Sequence, residues 1–480
     1  MSDRPIIVWF RQDLRTRDQA ALSAAAASGQ PVLPLYVLDE DSPAEWRPGG
    51  AARWWLHGSL LALADDLARL GSPLLLRRGE AADVVATVAR EAGASAVLAT
   101  RHVEPHWCAA DARLRTTLAT DNIQVQIFPG TTLFEPGSLR TKAGGPPKVF
   151  TPFWRTCLGA EPPARPLRAP VTLRALARPM TGDPLDAWGL PPTSPDWAGG
   201  LRASWRPGEA AAQATFAGFL DRRLGRYHTD RNTLEPAATS QLSPHLHFGE
   251  LSPREIWHTV FARMQADPGL LSGGESWLRE LGWREFCAHT LAANPQMPSE
   301  PLHPRFAGFP WSQDVSNLRA WQRGRTGYPI VDAGMRQLWQ MGWIPNRVRM
   351  IVASFLVKHL LLPWQEGEAW FWDTLVDADL GNNAGGWQWV AGCGIDAAPY
   401  FRIFNPVLQG EKFDSDGDYV RRWVPELARL ASPYLQRPWT AAPLDLVAAG
   451  VRLGLDYPWP LIDHAAARAR ALQAFDRLPA

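Results

Sequence analysis

The sequence predicts an α/β amino-terminal domain, a five-stranded parallel doubly wound sheet, joined by a long linker to an all-α domain. Three observations carry this reading. Short apolar runs alternate with helix-spaced Ala- and Leu-rich segments through the first 130 residues. A proline-rich stretch follows, and from about residue 210 onward the pattern is helical.

The runs Ile6–Phe10, Val32–Leu38, Leu74–Leu76, Ala96–Ala99 and Val125–Phe128 read as buried strands. Between them, Leu60–Leu70 and Ala81–Ala92 have helical spacing. Strand–helix alternation implies parallel pairing, because parallel neighbours need a crossover. The first strand leads into Phe10-Arg11-Gln12-Asp13-Leu14-Arg15 rather than a GxGxxG loop, so a dinucleotide site of that kind is not expected in this domain. Residues 160–208 hold ten prolines and little periodicity, as a surface connector would. Helices are expected over Ala210–Leu224, Pro253–Met264, Glu275–Thr290, Val331–Met341, Arg347–Leu361 and Glu366–Leu375. The expected organisation is an α/β domain over 1–130, a linker over 131–209 and a helical domain over 210–480.

At 480 residues the chain exceeds one ordinary core. A hydrophobic content of 46% with 20% charged residues describes a globular protein rather than a disordered one. No apolar stretch reaches the ~18 residues that span a bilayer, and Met1-Ser2-Asp3-Arg4-Pro5 does not read as a signal peptide. Cys108, Cys157, Cys287 and Cys393 are far apart and form no CxxC pair, so neither a disulfide framework nor a zinc ribbon is expected, and a reducing cytoplasm fits. The net charge of +1 hides an asymmetry: residues 301–360 hold seven Arg and Lys358 against Asp314 and Asp332, while 361–380 hold five acids and no Lys or Arg. The basic block could meet phosphates or pair with its acidic neighbour, and charge leaves both open.

The chemistry concentrates in the helical part. Asn382-Asn383-Ala384-Gly385-Gly386-Trp387-Gln388-Trp389 places two indoles beside small glycines and paired amides, in a chain with 24 Trp and only 7 Tyr. Indole stacks on flat ligands and is readily oxidised by one electron, so the run suggests a flat redox cofactor. Thr239-Ser240-Gln241-Leu242-Ser243-Pro244 could cradle a phosphate or simply cap a helix. His245-Leu246-His247 lacks a third ligand at metal spacing, and no metal is expected. In Trp277-x-x-Glu280-x-x-Trp283-Arg284-x-Phe286, a core stripe would explain the indoles but not the carboxylate between them. Trp343-Ile344-Pro345-Asn346-Arg347-Val348-Arg349-Met350 sets an amide, two guanidinium groups and a thioether at a helix start. Asp377 and Asp379 could pair with that helix.

Together these motifs resemble the photolyase/cryptochrome family, and most closely its cyclobutane pyrimidine dimer photolyases. Thr326-Gly327-Tyr328-Pro329-Ile330-Val331-Asp332 and Tyr400-Phe401-Arg402-Ile403-Phe404-Asn405-Pro406 add to the match, which covers essentially the whole length. The resemblance implies FAD held without a covalent bond. Tyr227, Thr239, Ser240, Gln241, Leu242 and Ser243 would hold its diphosphate. Trp277, Arg284 and Trp343 would line the flavin pocket, with Arg349, Asp377 and Asp379 around the isoalloxazine and adenine. Asn383 would face flavin N5. It further implies light-driven reversal of thymine dimers by electron donation from the excited, fully reduced cofactor to a flipped-out lesion. Trp283 and Trp389 would pack on the extruded bases and Glu280 would hydrogen-bond one of them. Asn346, Arg347 and Met350 would line the lesion pocket, with Arg231, Arg347 and Gln409 near the strand. Trp387, Trp364 and Trp311 would relay electrons from the surface to oxidised FAD.

Within the resemblance, (6-4) photolyases and animal cryptochromes carry pocket histidines where this chain has Asn346 and Met350. The DASH type generally has Tyr where this chain has Trp389. Many cryptochromes add a long tail, whereas this chain runs some 75 residues past Asn405. These details favour dimer repair over a blue-light photoreceptor. Folate-binding members have an Asn-Glu pair where this chain reads His106-Trp107. Trp107 could stack on a pterin with Glu104 or His106 as polar contact, so methenyltetrahydrofolate is favoured as antenna over 8-hydroxy-deazaflavin. The expected partner is DNA containing pyrimidine dimers, bound by a cytoplasmic monomer with no membrane association.

Overall fold

A computed structural model describes residues 3–141, 144–145, 147–234, 238–396 and 401–479. The chain packs as two compact units. The first comprises Met1–His228, Ser240–Pro295 and Val376–Gly381; the second comprises Thr229–Thr239, Gln296–Leu375 and Asn382–Ala480.

The first unit is built on a five-stranded sheet in the order β3-β2-β1-β4-β5, with β1 (Ile6–Phe10), β2 (Val32–Leu38), β3 (Leu75–Arg78), β4 (Ala96–Thr100) and β5 (Gln124–Phe128). All pairs are parallel, with Ile6 opposite Val32 and Ala96. The crossovers are α1 (Ala20–Ala27), α2 (Gly50–Leu70), α3 (Ala81–Glu91) and α4 (Pro105–Ala119). Every residue of β1 and β2 is buried, which is why these strands read as continuous apolar runs rather than alternating ones. At the edge, β3 begins one residue later than the apolar run predicts and ends on Arg77 and Arg78, opposite Val37 and Leu38. An edge strand tolerates charge, so hydrophobicity alone misplaces it. Likewise α2 starts ten residues before its predicted bound, because Gly50, Trp54 and Trp55 interrupt the Leu/Ala period although both indoles are buried.

Buried ions tie the loops of this unit. Glu250, fully buried, accepts from Trp55 Nε1 at 3.0 Å, Gly208 N at 2.8 Å and Ser59 Oγ, and lies 2.5 Å from His245 Nδ1. Asp18 accepts from Leu167 N at 2.9 Å and pairs with Arg254 at 2.6 Å.

The second unit is helical among its described residues. The Pro329–Met341 helix starts where Asp332 accepts from Thr326 N, Thr326 Oγ1, Gly327 N and Tyr457 OH, at 2.6–3.0 Å. The helix predicted over Arg347–Leu361 is instead an α-helix over Asn346–Ser354 and a π-turn over Phe355–His359, ending at Leu361 with φ of 53°. A π-turn slips the register by one residue and is invisible to a 3.6-residue period. No described helix is long and apolar enough to cross a membrane.

Candidate functional site

In the first unit, the Leu271–Ala293 helix carries four of the predicted side chains, Trp277, Glu280, Trp283 and Arg284. Trp277 is 5% exposed and packs on Phe216 at 5.9 Å and Phe219 at 4.9 Å, and Phe219 also meets Tyr227 at 5.8 Å. Phe219 thus links two residues expected to line one cofactor. Six residues on, Trp283 stacks flat on Phe150, with centroids 3.7 Å apart and planes at 6°. Phe150 was not legible as a site residue, since it lies more than 130 residues upstream in an unpatterned segment. Arg284 donates to Thr131 O at 2.9 Å and Leu246 O at 3.4 Å. Its neighbour Glu285 is buried and accepts from Leu133 N and Phe134 N, which clamps that loop to the helix. Glu280 is half-buried on the same helix.

The expected phosphate stretch is turn-like. Gln241 has φ of 55°, Leu242 is buried, and Ser243 opens a five-residue helix and donates to Asp377 Oδ2 at 2.5 Å. Asp377 is 8% exposed and Asp379 half-buried. His247, 7% exposed, keeps Nδ1 without a hydrogen-bond partner. Burial pushes its pKa down, against the pull of Asp379, Glu104 and Asp377.

The candidate antenna residues follow the carboxyl end of β4, which pairs with β1 where strand order reverses, the customary ligand crevice of open α/β sheets. Trp107 is half-buried, meets Trp9 edge-on at 5.9 Å and lies beside His106 at 4.6 Å. Arg11 lies over both indoles, at 4.5 Å and 5.3 Å, and pairs with Asp111 at 3.0 Å. Burial opposes ionisation of Glu104, but His102 and His106 outweigh it and hold the carboxyl at about 2. Burial pushes His106 down to about 4.

In the second unit, Asn383 is 8% exposed and donates Nδ2 to Glu368 O at 3.0 Å. That bond assigns the other end of the amide as the acceptor oxygen. Trp387 is 2% exposed and lies edge-on to Phe371 at 5.0 Å and Trp321 at 6.1 Å. Gly367, in the helix that Trp364 opens, makes room for it: a Cβ there would come within 2.1 Å of the indole. Trp364 is 1% exposed, whereas Trp311 is half-buried against Phe309 at 4.2 Å. Trp321 was missed because nothing near it in sequence marks it. Trp389 is half-buried and Trp343 buried.

Asn346 is exposed and Met350, one turn later, half-buried on the same helix. Arg347 between them donates to Asn232 Oδ1 at 3.0 Å and lies 4.5 Å over Phe413. Burial lowers its pKa, and Arg402 and Arg231 lower it further. Like charges gathered this way favour an anion. Gln409 lies on the Pro406–Phe413 helix, which Asn405 caps. Arg349 donates to Ile344 O at 3.1 Å, and Thr239 is half-buried. Tyr400 of the predicted motif lies outside the described residues.

Residues 6–171 match the DNA photolyase family model, and residues 277–477 match the FAD binding domain of DNA photolyase. The chain belongs to the photolyase/cryptochrome family. Among photolyase relatives it is 48% identical to the deoxyribodipyrimidine photo-lyase of Agrobacterium fabrum, across 98% of this chain and 97% of that one. It is 38% identical to Cryptochrome-1 of Arabidopsis thaliana, across 98% of this chain and 70% of that one. A bacterial class III photolyase from Agrobacterium tumefaciens superposes with a TM-score of 0.94 at 47% identity, covering 99% of this chain and 98% of its own. The FAD binding domain that this family model describes is compatible with the groups present: Ser243 meets Asp377, loop carbonyls hold Arg284, and the buried His247 Nδ1 has no protein hydrogen-bond partner.

Proposed function

We propose that the protein is a deoxyribodipyrimidine photo-lyase, a cytoplasmic monomer that uses blue light to split cyclobutane pyrimidine dimers in DNA. The near full-length similarity to the Agrobacterium fabrum photo-lyase carries the reading, and the residues at its motifs agree with it. FAD, when bound and fully reduced, supplies the light-excited electron donor. Tyr227, Thr239, Ser240, Gln241, Leu242 and Ser243 hold the diphosphate. Trp277, Arg284, Trp343, Arg349, Asp377 and Asp379 hold and orient the rings. Asn383 would present its amide oxygen to the flavin, its nitrogen being committed to Glu368 O.

A dimer must leave the helix stack to react, and a damaged pair unstacks at lower cost. Trp283 and Trp389 take up the exposed base faces, Glu280 hydrogen-bonds the lesion, and Asn346 and Met350 shape the pocket. Arg347, Arg231 and Gln409 meet the phosphates, which relieves the repulsion among the arginines. Trp387, Trp364 and Trp311 would pass electrons inward from an external reductant in solution, which would restore the reduced cofactor. Trp107, with Glu104 and His106, holds methenyltetrahydrofolate as antenna in preference to 8-hydroxy-deazaflavin, and an added near-ultraviolet absorption band in the purified protein would support this.

The test uses a thymine-dimer oligonucleotide and pre-reduced protein, incubated in darkness or under blue light. Dimer loss in the light alone supports the reading. Tight FAD binding without dimer loss would instead favour a photoreceptor, in keeping with the cryptochrome relatives.

A further inference from the structure

The helix Leu380–Ala391 ends in polar contacts that the proposed chemistry does not use. Gln388, between the two indoles, is 0% exposed. Its Nε2 donates to Met297 O at 2.7 Å and Glu300 O at 2.8 Å, while Oε1 accepts from Leu302 N at 2.9 Å and Cys393 Sγ at 3.7 Å. Both amide hydrogens and both acceptor directions are therefore taken. Its backbone carbonyl accepts from Gly392 N, Cys393 N and Gly394 N at 2.9, 3.0 and 3.1 Å. Gly392, at φ of 90°, makes the left-handed turn that closes the helix. Behind it, Lys358 on the π-turn is 1% exposed, donates Nζ to Ala391 O at 2.7 Å and lies 3.0 Å over the Phe401 ring. A lysine is rarely so buried, and here it satisfies a carbonyl that a helix end otherwise leaves open.

Successive side chains advance about 100° around a helix. With Gln388 pinned to the 297–302 segment, Trp387 is turned to one side, onto Gly367 and Phe371, and Trp389 to the other. A small rotation would move both indoles at once. We propose that Gln388 is a positioning residue that sets the rotation of this helix, so that one buried amide fixes both the electron-supply indole and the lesion-facing indole. The inference rests on the roles given above to Trp387 and Trp389.

The experiment uses the full chain with FAD bound and compares wild type, Gln388→Leu, Gln388→Glu, Trp387→Phe and Trp389→Ala. Gln388→Leu should slow photoreduction and weaken dimer-oligonucleotide binding together, each by about tenfold or more, with FAD content unchanged. Each Trp substitution should impair one of the two. Hydroxyl-radical footprinting read by mass spectrometry should show Trp387 newly oxidised in Gln388→Leu. Gln388→Glu removes both donors, but burial raises a carboxyl's pKa, and the protonated acid regains one. Its defect should therefore be smaller at about pH 5.5 than at about pH 8. The titratable residues on the segments packed here include Cys393, held at about 12 by burial, with Lys358, Glu368, Glu300 and His303. All are present in wild type and in Gln388→Leu, so a pH trend confined to Gln388→Glu belongs to the new carboxyl.

Wild-type footprints and rates within twofold in both variants, or loss of one function alone, would overturn the proposal. If Gln388→Leu does not fold, the Gln388→Glu pH series decides. If wild type neither binds nor repairs dimers, the photolyase reading fails while the footprint still decides the positioning.

Discussion

Glu250 in the first unit and Gln388 in the second each gather four side-chain contacts at 0% exposure, yet one is a carboxylate and the other a neutral amide. Glu250 faces donors only: an indole, a hydroxyl, a backbone amide and an imidazole. Such a set suits a charge, because every lone pair is answered. Gln388 faces two carbonyls and two donors, so only a group that donates and accepts can serve. The second unit also uses a carboxylate where donors alone converge, at Asp332. Asp18, Glu209, Arg11 and Arg15 anchor loops around the sheet of the first unit. Gln337, Asn383 and Asn405 do comparable work in the second. Where a loop leaves N–H groups open a carboxylate answers them, and where it leaves carbonyls open an arginine does. Where carbonyls and N–H groups converge on one side chain, as at Gln388, an amide answers both.

Removing the anion from the first unit should have the largest effect. Glu250→Leu strands four buried donors and should cost about 3–5 kcal/mol in denaturant unfolding. Glu250→Gln, which keeps an acceptor, should cost less. Equal losses would break the contrast.

Mild acid should find the second unit through His359, which lies 2.8 Å from His464 Nδ1. Burial and His464 push His359 from 6.5 to about 3. The unfolded chain therefore binds the extra proton first. Stability is full above about pH 6.5 and falls as pH drops toward 3, by about 2 kcal/mol at pH 5. In the first unit His106 has the same sign over a shorter window, to about 4. Glu104 has its support intact above 4.5 and loses it toward about 2. His359→Asn should flatten, though not abolish, the slope of unfolding midpoint between pH 6.5 and 5; an unchanged slope would remove His359 from the account.

Gly367→Ala sharpens the view that the second unit relies on clearance. The added Cβ meets the Trp387 ring, and overpacking costs about 1–3 kcal/mol, more than the ~1 kcal/mol that alanine gains in a helix. Thermal unfolding should drop by a few degrees with a shift in tryptophan fluorescence. At the small end, Asp456→Ala breaks the exposed pair with Arg452 and should leave the thermal midpoint unchanged, since exposed pairs contribute little.

Strands β1, β2 and β4 are legible in the chain because a strand buried on both faces must be apolar throughout, and Ile6–Phe10 and Val32–Leu38 match residue for residue, whereas the edge strand β5 alternates Gln with apolar residues. The Leu271–Ala293 helix is legible in its middle, but Gly273 and Gly274 read as breakers although they lie inside it. Trp277, Trp283, Trp387 and Asn383 stand out by type and spacing. Phe150 beneath Trp283, Trp321 beside Trp387 and the acceptor of the Asn383 amide do not, because each depends on a partner brought in by packing.

The sequence by itself determined the parallel sheet, the helical second half and the motif residues of the photolyase/cryptochrome family, since apolar period and local composition are properties of neighbours along the chain. Tertiary structure decided which way those residues are held. The π-turn that buries Lys358, the room that Gly367 leaves for an indole and three of the four contacts that pin Gln388 join separate segments of the chain. Hydrogen bonds and steric clearances act over a few ångströms in space, whatever the separation along the chain.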